Sequence, residues 1–67
     1  MVTALSAMGG QMKVHIQFAD QWNHWRHYQT KQNEQDAYRV ASNRARSTGK
    51  RHRLVDDAGN LLDLIDP

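Results

Sequence analysis

The densest group of side chains able to do chemistry is the basic segment at residues 39–53. It contains six arginine and lysine residues and no acid, whereas residues 54–67 contain four aspartates and no base. Closely spaced cations can neutralise phosphate groups, with an affinity that falls steeply as salt rises. The segment therefore indicates a nucleic-acid-binding surface, and its candidate residues are Arg39, Arg44, Arg46, Lys50, Arg51 and Arg53.

Two interpretations of this segment stay open. Trp22, Trp25 and Tyr28 could add platforms on which unpaired bases stack. Alternatively, the helical cations form a solvated surface while Arg51 and Arg53 pair with Asp63 and its neighbours across a hairpin. That internal pairing would offset much of the positive charge.

The four histidines raise the question of a metal site. His24 and His27 would point to opposite faces of a regular strand, so they could chelate together only if that segment turns. The chain has no cysteine and hence no thiolate ligand. Histidines on the surface or in packing contacts are the simpler interpretation, and the sequence predicts neither a metal site nor a cofactor.

Catalytic patterns are weak. Gly49-Lys50 lacks the remainder of a phosphate-binding loop, because Arg51 stands where serine or threonine is required. Ser42 and Ser47 have no evident general base, and the adjacent Asp56 and Asp57 suit a turn. A domain this small also has little volume for a substrate pocket of several hundred Å³. We expect no enzyme activity and no small-molecule substrate.

The elements that position these residues begin with residues 12–19, where apolar and polar side chains alternate. Period-two alternation is typical of a half-buried strand. A second strand is predicted for residues 24–30; its phase is ambiguous, and we favour Tyr28 facing inward near the helix start, with a bulge or turn deciding where Trp22 and Trp25 lie.

A basic amphipathic helix is predicted between two hairpins. Asn33 suits its N-cap, with Thr30 as the competing cap, and Gly49 suits the left-handed residue that ends it. The apolar members of its predicted inner face are small, which lets the helix lie close against a sheet. That face is formed by Ala37, Val40, Ala41, Arg44, Ala45 and Thr48.

The last hairpin has an unusual second strand. His52 and Leu54 are predicted on one side of the first strand, and residues 56–59 suit a turn with Gly59 in the left-handed conformation. In residues 60–65, a regular strand places Leu62 and Leu64 on one face, and Leu61 and Ile65 on the other. One helix can cover only one sheet face, so the second apolar face predicts an interface.

The order β–β–α–β–β resembles a loose group of short uncharacterised bacterial proteins. The matching residues are Trp25, Thr30, the run Ala-Tyr-Arg-Val-Ala at 37–41 and the run Val-Asp-Asp-Ala-Gly at 55–59. The resemblance covers residues 12–65 and carries no catalytic motif. It therefore implies a fold and no activity.

With 67 residues the chain is one α+β domain, a small antiparallel sheet with one helix packed on one face. We expect residues 1–11 to be a flexible tail and residues 12–67 to be the domain. No apolar run reaches the roughly 18 residues of a membrane helix, and no secretory signal is recognised, which makes a cytoplasmic location the default expectation.

A domain of this size buries a small core, so support from a second copy or a protein partner is expected. The hypothesis is a non-enzymatic binding module that forms a homodimer or docks a protein. Its predicted contact surface is the outer face of the C-terminal hairpin, with Val55, Leu61, Ile65 and Trp25. The alternative is nucleic-acid binding by residues 39–53.

Overall fold

The computed structural model describes residues 13–67, and the predicted flexible tail lies outside the described residues. Four strands and one helix follow in the order β1 (Val14–Ala19), β2 (Trp25–Lys31), α1 (Glu34–Thr48), β3 (His52–Val55) and β4 (Leu61–Ile65). The strands form one antiparallel sheet in the order β2-β1-β3-β4, with α1 packed on one face. The predicted ββαββ fold is confirmed.

The helix begins and ends where its caps predict. The Asn33 side chain accepts a hydrogen bond from the Asp36 amide, which satisfies one of the free N–H groups of the first turn. Gly49 ends the helix in the left-handed conformation, with φ of 71°, and its N–H donates to the Ala45 carbonyl. The competing cap, Thr30, lies within β2 instead.

The core lies between α1 and the inner face of the sheet. From the helix it takes three buried alanines, Ala37, Ala41 and Ala45. Their small side chains leave room for the larger strand residues below them. The sheet contributes Val14 and Ile16 from β1, Leu54 from β3 and Ile65 from β4.

The inner layer also contains two polar side chains, His52 and Arg44, which the sequence periodicity places on the side of Leu54 and on the inner face of the helix. His52 is fully buried beside Leu54, and its Nδ1–H donates to the Lys50 carbonyl at 2.9 Å. Burial, which disfavours the charged imidazolium, lowers the pKa of His52. The Arg44 guanidinium lies over the Tyr28 ring, with its Cζ atom 3.8 Å from the ring centroid. His52 and Arg44 therefore close the core at the end where the helix finishes.

Tyr28 faces the helix side, as predicted, but it meets Arg44 rather than the start of the helix. Its orientation follows from one extra residue in β2, where Ile16 pairs with Gln29 and Gln17 pairs with His27. Such a β-bulge leaves the inserted residue unpaired and changes the phase of the strand beyond it.

We predict that enlarging one of the three buried alanines of α1 destabilises the fold. Ala41→Leu adds three carbon atoms where the helix contacts the sheet, and overpacking of this kind costs about 1–3 kcal/mol. The exposed helix residue Ser47 provides the control, since Ser47→Leu should change the free energy of unfolding by no more than about 0.5 kcal/mol. Urea denaturation measures both. Equal effects of the two substitutions would contradict the close packing of α1.

Candidate functional site

The candidate site is the face of the sheet that α1 does not cover, called here the outer face. Side chains of a strand alternate between faces, and directly paired residues share a face, so the register assigns each residue. The outer face is formed by His15, Gln17, Ala19, Trp25, His27, Thr30, Arg53, Val55, Leu61 and Leu64.

The apolar part of the outer face lies on the C-terminal hairpin. Val55 pairs with Leu61, and Arg53 pairs with Leu64, although Leu61 and Leu64 are three residues apart. Leu61 and Leu64 share a face because β4 contains one extra residue, Leu62, between them. The Leu62 side chain packs against the core. Leu61 is 57% exposed and Leu64 is 48% exposed, whereas Val55 is buried beneath its neighbours.

Two predictions for β4 are wrong because of this bulge. Ile65 was expected on the outer face, but it pairs with the buried His52 and belongs to the core under the helix. Leu62 and Leu64, expected together, lie on opposite faces. The reason is that a bulge changes strand phase, which a strict period of two cannot represent.

Trp25, the fourth predicted interface residue, also lies on the outer face but at its opposite edge. The Arg53 guanidinium lies over the Trp25 ring, with Cζ 4.3 Å from the ring centroid. Arg53 Nε also donates to Gln17 Oε1 at 2.6 Å. These contacts hold the guanidinium across the central strand β1, between Trp25 on one side and the leucines on the other.

A chain of four polar side chains crosses the other half of the outer face. His15 Nε2 is 2.6 Å from an Asp57 carboxylate oxygen, and His15 Nδ1 is 2.9 Å from the Thr30 hydroxyl. The same hydroxyl is 3.0 Å from His27 Nε2. Because a carboxylate only accepts, a neutral His15 donates from Nε2 to Asp57 and accepts the Thr30 proton at Nδ1. The chain links β1, β2 and the turn between β3 and β4.

The ion pairs of this side of the sheet are internal. Arg51 Nε donates to Asp66 at 2.8 Å across the ends of the C-terminal hairpin. Asp57 accepts a hydrogen bond from His15 Nε2 at 2.6 Å. The outer face therefore carries the Arg53 cation, which forms no ion pair among the described residues, and the Asp57 carboxylate, which accepts a hydrogen bond from His15.

The six residues of the basic segment do not form one surface. Arg44 is packed over Tyr28 on the helix side of the sheet, whereas Arg53 lies on the outer face. Arg51 pairs with Asp66 rather than with Asp63. The remaining three, Arg39, Arg46 and Lys50, are exposed on or just beyond the helix. Of these, Arg39 also forms an ion pair with Asp36 at 2.7 Å.

A tightly hydrogen-bonded turn joins β1 to β2. One Asp20 carboxylate oxygen accepts from the amides of Trp22 and His24, each at 2.9 Å, and the other accepts from Arg26 Nε at 2.8 Å. The Arg26 hydrogen bond, followed by the backbone amides, lowers the pKa of Asp20 to about 2. Asn23 adopts the left-handed conformation within the turn, at φ of 66°, which asparagine tolerates. The exposed Trp22 is thus carried on an ordered turn.

Between residues 13 and 67 there is no surface pocket, and no three His, Asp or Glu side chains are placed to hold a metal ion together. Nor does this part of the chain contain a helix long and apolar enough to cross a membrane.

Comparison of the chain with protein-family models, curated proteins and solved structures gave no match. The resemblance to short bacterial ββαββ proteins is not tested by these comparisons and stays a prediction.

The sequence did not reveal the polar chain of Asp57, His15 and Thr30. His15 was visible as an outward residue of β1, but its partners depend on strand order and on the β2 bulge. Two residues three positions apart, such as His27 and Thr30, face opposite sides of a regular strand and share a side only across a bulge.

We predict that Asp20 makes stability pH-dependent in acid. A carboxyl whose folded pKa is lowered from 3.8 to about 2 stabilises the fold above pH 4, and this contribution disappears as pH falls to 2. Asp20→Asn keeps an acceptor oxygen but removes the charge facing Arg26, so its deficit relative to wild type should shrink between pH 4 and pH 2. Urea unfolding at pH 7, 4 and 2 measures this, and a deficit unchanged with pH would contradict it.

Proposed function

We propose that this protein is a binding module that self-associates through its outer face. The observation that carries the proposal is the exposure of Leu61 and Leu64 on the sheet face that has no helix cover. Adjacent exposed leucines on a β-sheet lose unfavourable contact with water when a second surface covers them.

A second copy of the chain is the occupant that fits the charges best. Arg51 and Asp66 compensate each other, and the outer face carries both the Arg53 cation and the Asp57 carboxylate, so two copies can approach with opposite charges facing each other. The arrangement also suits the size of the domain. Three of the seven residues in the buried cluster are alanines, and a core of that volume gains from further apolar burial.

Packing face to face is favoured over pairing of β4 edges. The Leu64 amide donates to the Asp63 side chain at 3.0 Å, and the bulge at Leu62 interrupts the strand. A backbone N–H that already donates to a side chain is not free to pair with another strand, and a bulge breaks the regular edge. Both features therefore disfavour the addition of a strand.

The size of the outer face predicts a weak dimer. Four strands about 4.8 Å apart and five residues long cover a footprint of roughly 300–350 Å². Even with protruding side chains, two such faces bury less than the roughly 1,200–2,000 Å² typical of stable complexes. We therefore expect a weak dimer, with a dissociation constant of about 1–100 µM.

Sedimentation equilibrium of wild type and of charge-introducing variants tests self-association. Leu61→Asp should weaken dimerisation at least tenfold, because the dimer would bury an unpaired carboxylate. Tyr38→Asp is the matched control: Tyr38 is 47% exposed, against 57% for Leu61, but it lies on the helix. A wild-type monomer at 1 mM, or equal weakening by the control, would contradict the proposal.

Nucleic-acid binding by residues 39–53 stays an untested prediction. Because the six cations lie on separate surfaces, we expect no strong binding of short DNA or RNA in a fluorescence anisotropy titration at low salt. Binding that weakens steeply with salt, and that is lost in the Arg46→Glu, Lys50→Glu double variant, would instead favour the nucleic-acid function.

A further inference from the structure

The histidines of the outer face converge on one atom. His15 Nδ1 is 2.9 Å and His27 Nε2 is 3.0 Å from the same Thr30 hydroxyl oxygen. The other two histidines are elsewhere, since His52 is buried in the core and His24 is exposed in the β1–β2 turn. Of the four histidines, His15 and His27 are therefore the two whose ring nitrogens contact a common atom, and they lie on neighbouring strands.

Asp57 determines which His15 nitrogen is available. Its carboxylate holds the proton on Nε2, at 2.6 Å, so that the lone pair of a neutral ring lies on Nδ1 and faces Thr30. A carboxylate on the far nitrogen is the arrangement that commonly orients a metal-binding histidine and raises its basicity. Asp57 is thus placed to position a ligand rather than to act as one.

We propose that His15 Nδ1 and His27 Nε2 form a two-histidine site for a divalent transition-metal ion. The ion replaces the hydroxyl hydrogen bonds that now join the two rings, and the exposed His27 adopts the tautomer with its lone pair on Nε2. In the monomer, solvent completes the coordination, with the Thr30 hydroxyl beside it. Only two histidines serve as ligands, which agrees with the absence of a three-residue cluster among residues 13–67.

The ligand type indicates which metals fit. Imidazole nitrogens suit Cu²⁺, Ni²⁺ and Zn²⁺, whereas Mg²⁺ and Ca²⁺ prefer several oxygen ligands. For a given nitrogen site the affinity is highest for Cu²⁺ in this series. Cu²⁺ is therefore the most sensitive probe, and its paramagnetic spectrum reports the number of bound nitrogens.

The test is a titration of the full chain with Cu²⁺, followed by electron paramagnetic resonance, with the His15→Ala, His27→Ala double variant defining background binding. We expect one site above background with two nitrogen ligands. His27→Ala should weaken binding at least tenfold and leave one nitrogen. His24→Ala, which removes an exposed histidine outside the pair, should leave the affinity unchanged.

Asp57→Asn distinguishes an oriented pair from two adventitious histidines. Loss of the orienting carboxylate should weaken binding by about tenfold to a hundredfold while both nitrogens stay bound. Circular dichroism checks that each variant keeps its sheet, and His27, exposed on an edge strand, is the substitution least able to unfold it.

Three results would overturn the site: wild-type binding no tighter than that of the double variant, equal weakening by His24→Ala and His27→Ala, or no effect of Asp57→Asn. Performing the titration also in Leu61→Asp separates this proposal from self-association. Retention of binding there supports a site within one chain, and its loss contradicts that placement.

Discussion

The close contact between α1 and the inner sheet face is the constraint on which the other features depend. A stripe of alanines at 37, 41 and 45 lets the helix approach the sheet, where larger side chains such as Ile16 and Leu54 fill the space. A helix of 15 residues is about 22 Å long and covers one face of four strands. Every residue of the opposite face must therefore be stabilised by its neighbours on that face or by another molecule.

Two edge-strand bulges determine what the outer face contains. The bulge at Tyr28 places His27 and Thr30 on the same side, and the bulge at Leu62 does the same for Leu61 and Leu64. In a regular strand each of these pairs would be split between faces. The outer face thereby gains a polar half around His15 and an apolar half around Val55. Both proposals for this protein, self-association and metal binding, rest on these two irregularities.

The sequence predicts the elements better than it predicts their surfaces. Alternation in β1, the Asn33 and Gly49 caps and the turn ending at Gly59 are local signals, and each occurs where predicted. The placement of Ile65 was wrong because a bulge has no comparable signal in a run of leucines. Strand order, which joins His15 to Asp57 and Thr30, depends on contacts distant in sequence. The basic residues lie close together in sequence, between residues 39 and 53. Their side chains nevertheless lie on different surfaces, because some belong to the helix and others to a strand.

The central claim is that the outer face is covered by a second copy of the chain. Isotope-filtered nuclear Overhauser spectroscopy on a mixture of labelled and unlabelled protein detects contacts between copies directly. Our account predicts intermolecular signals from the methyl groups of Leu61 and Leu64, and none from the ring of Tyr38 on the helix. Intermolecular signals confined to Tyr38 and the helix, or no such signals at millimolar concentration, would contradict it.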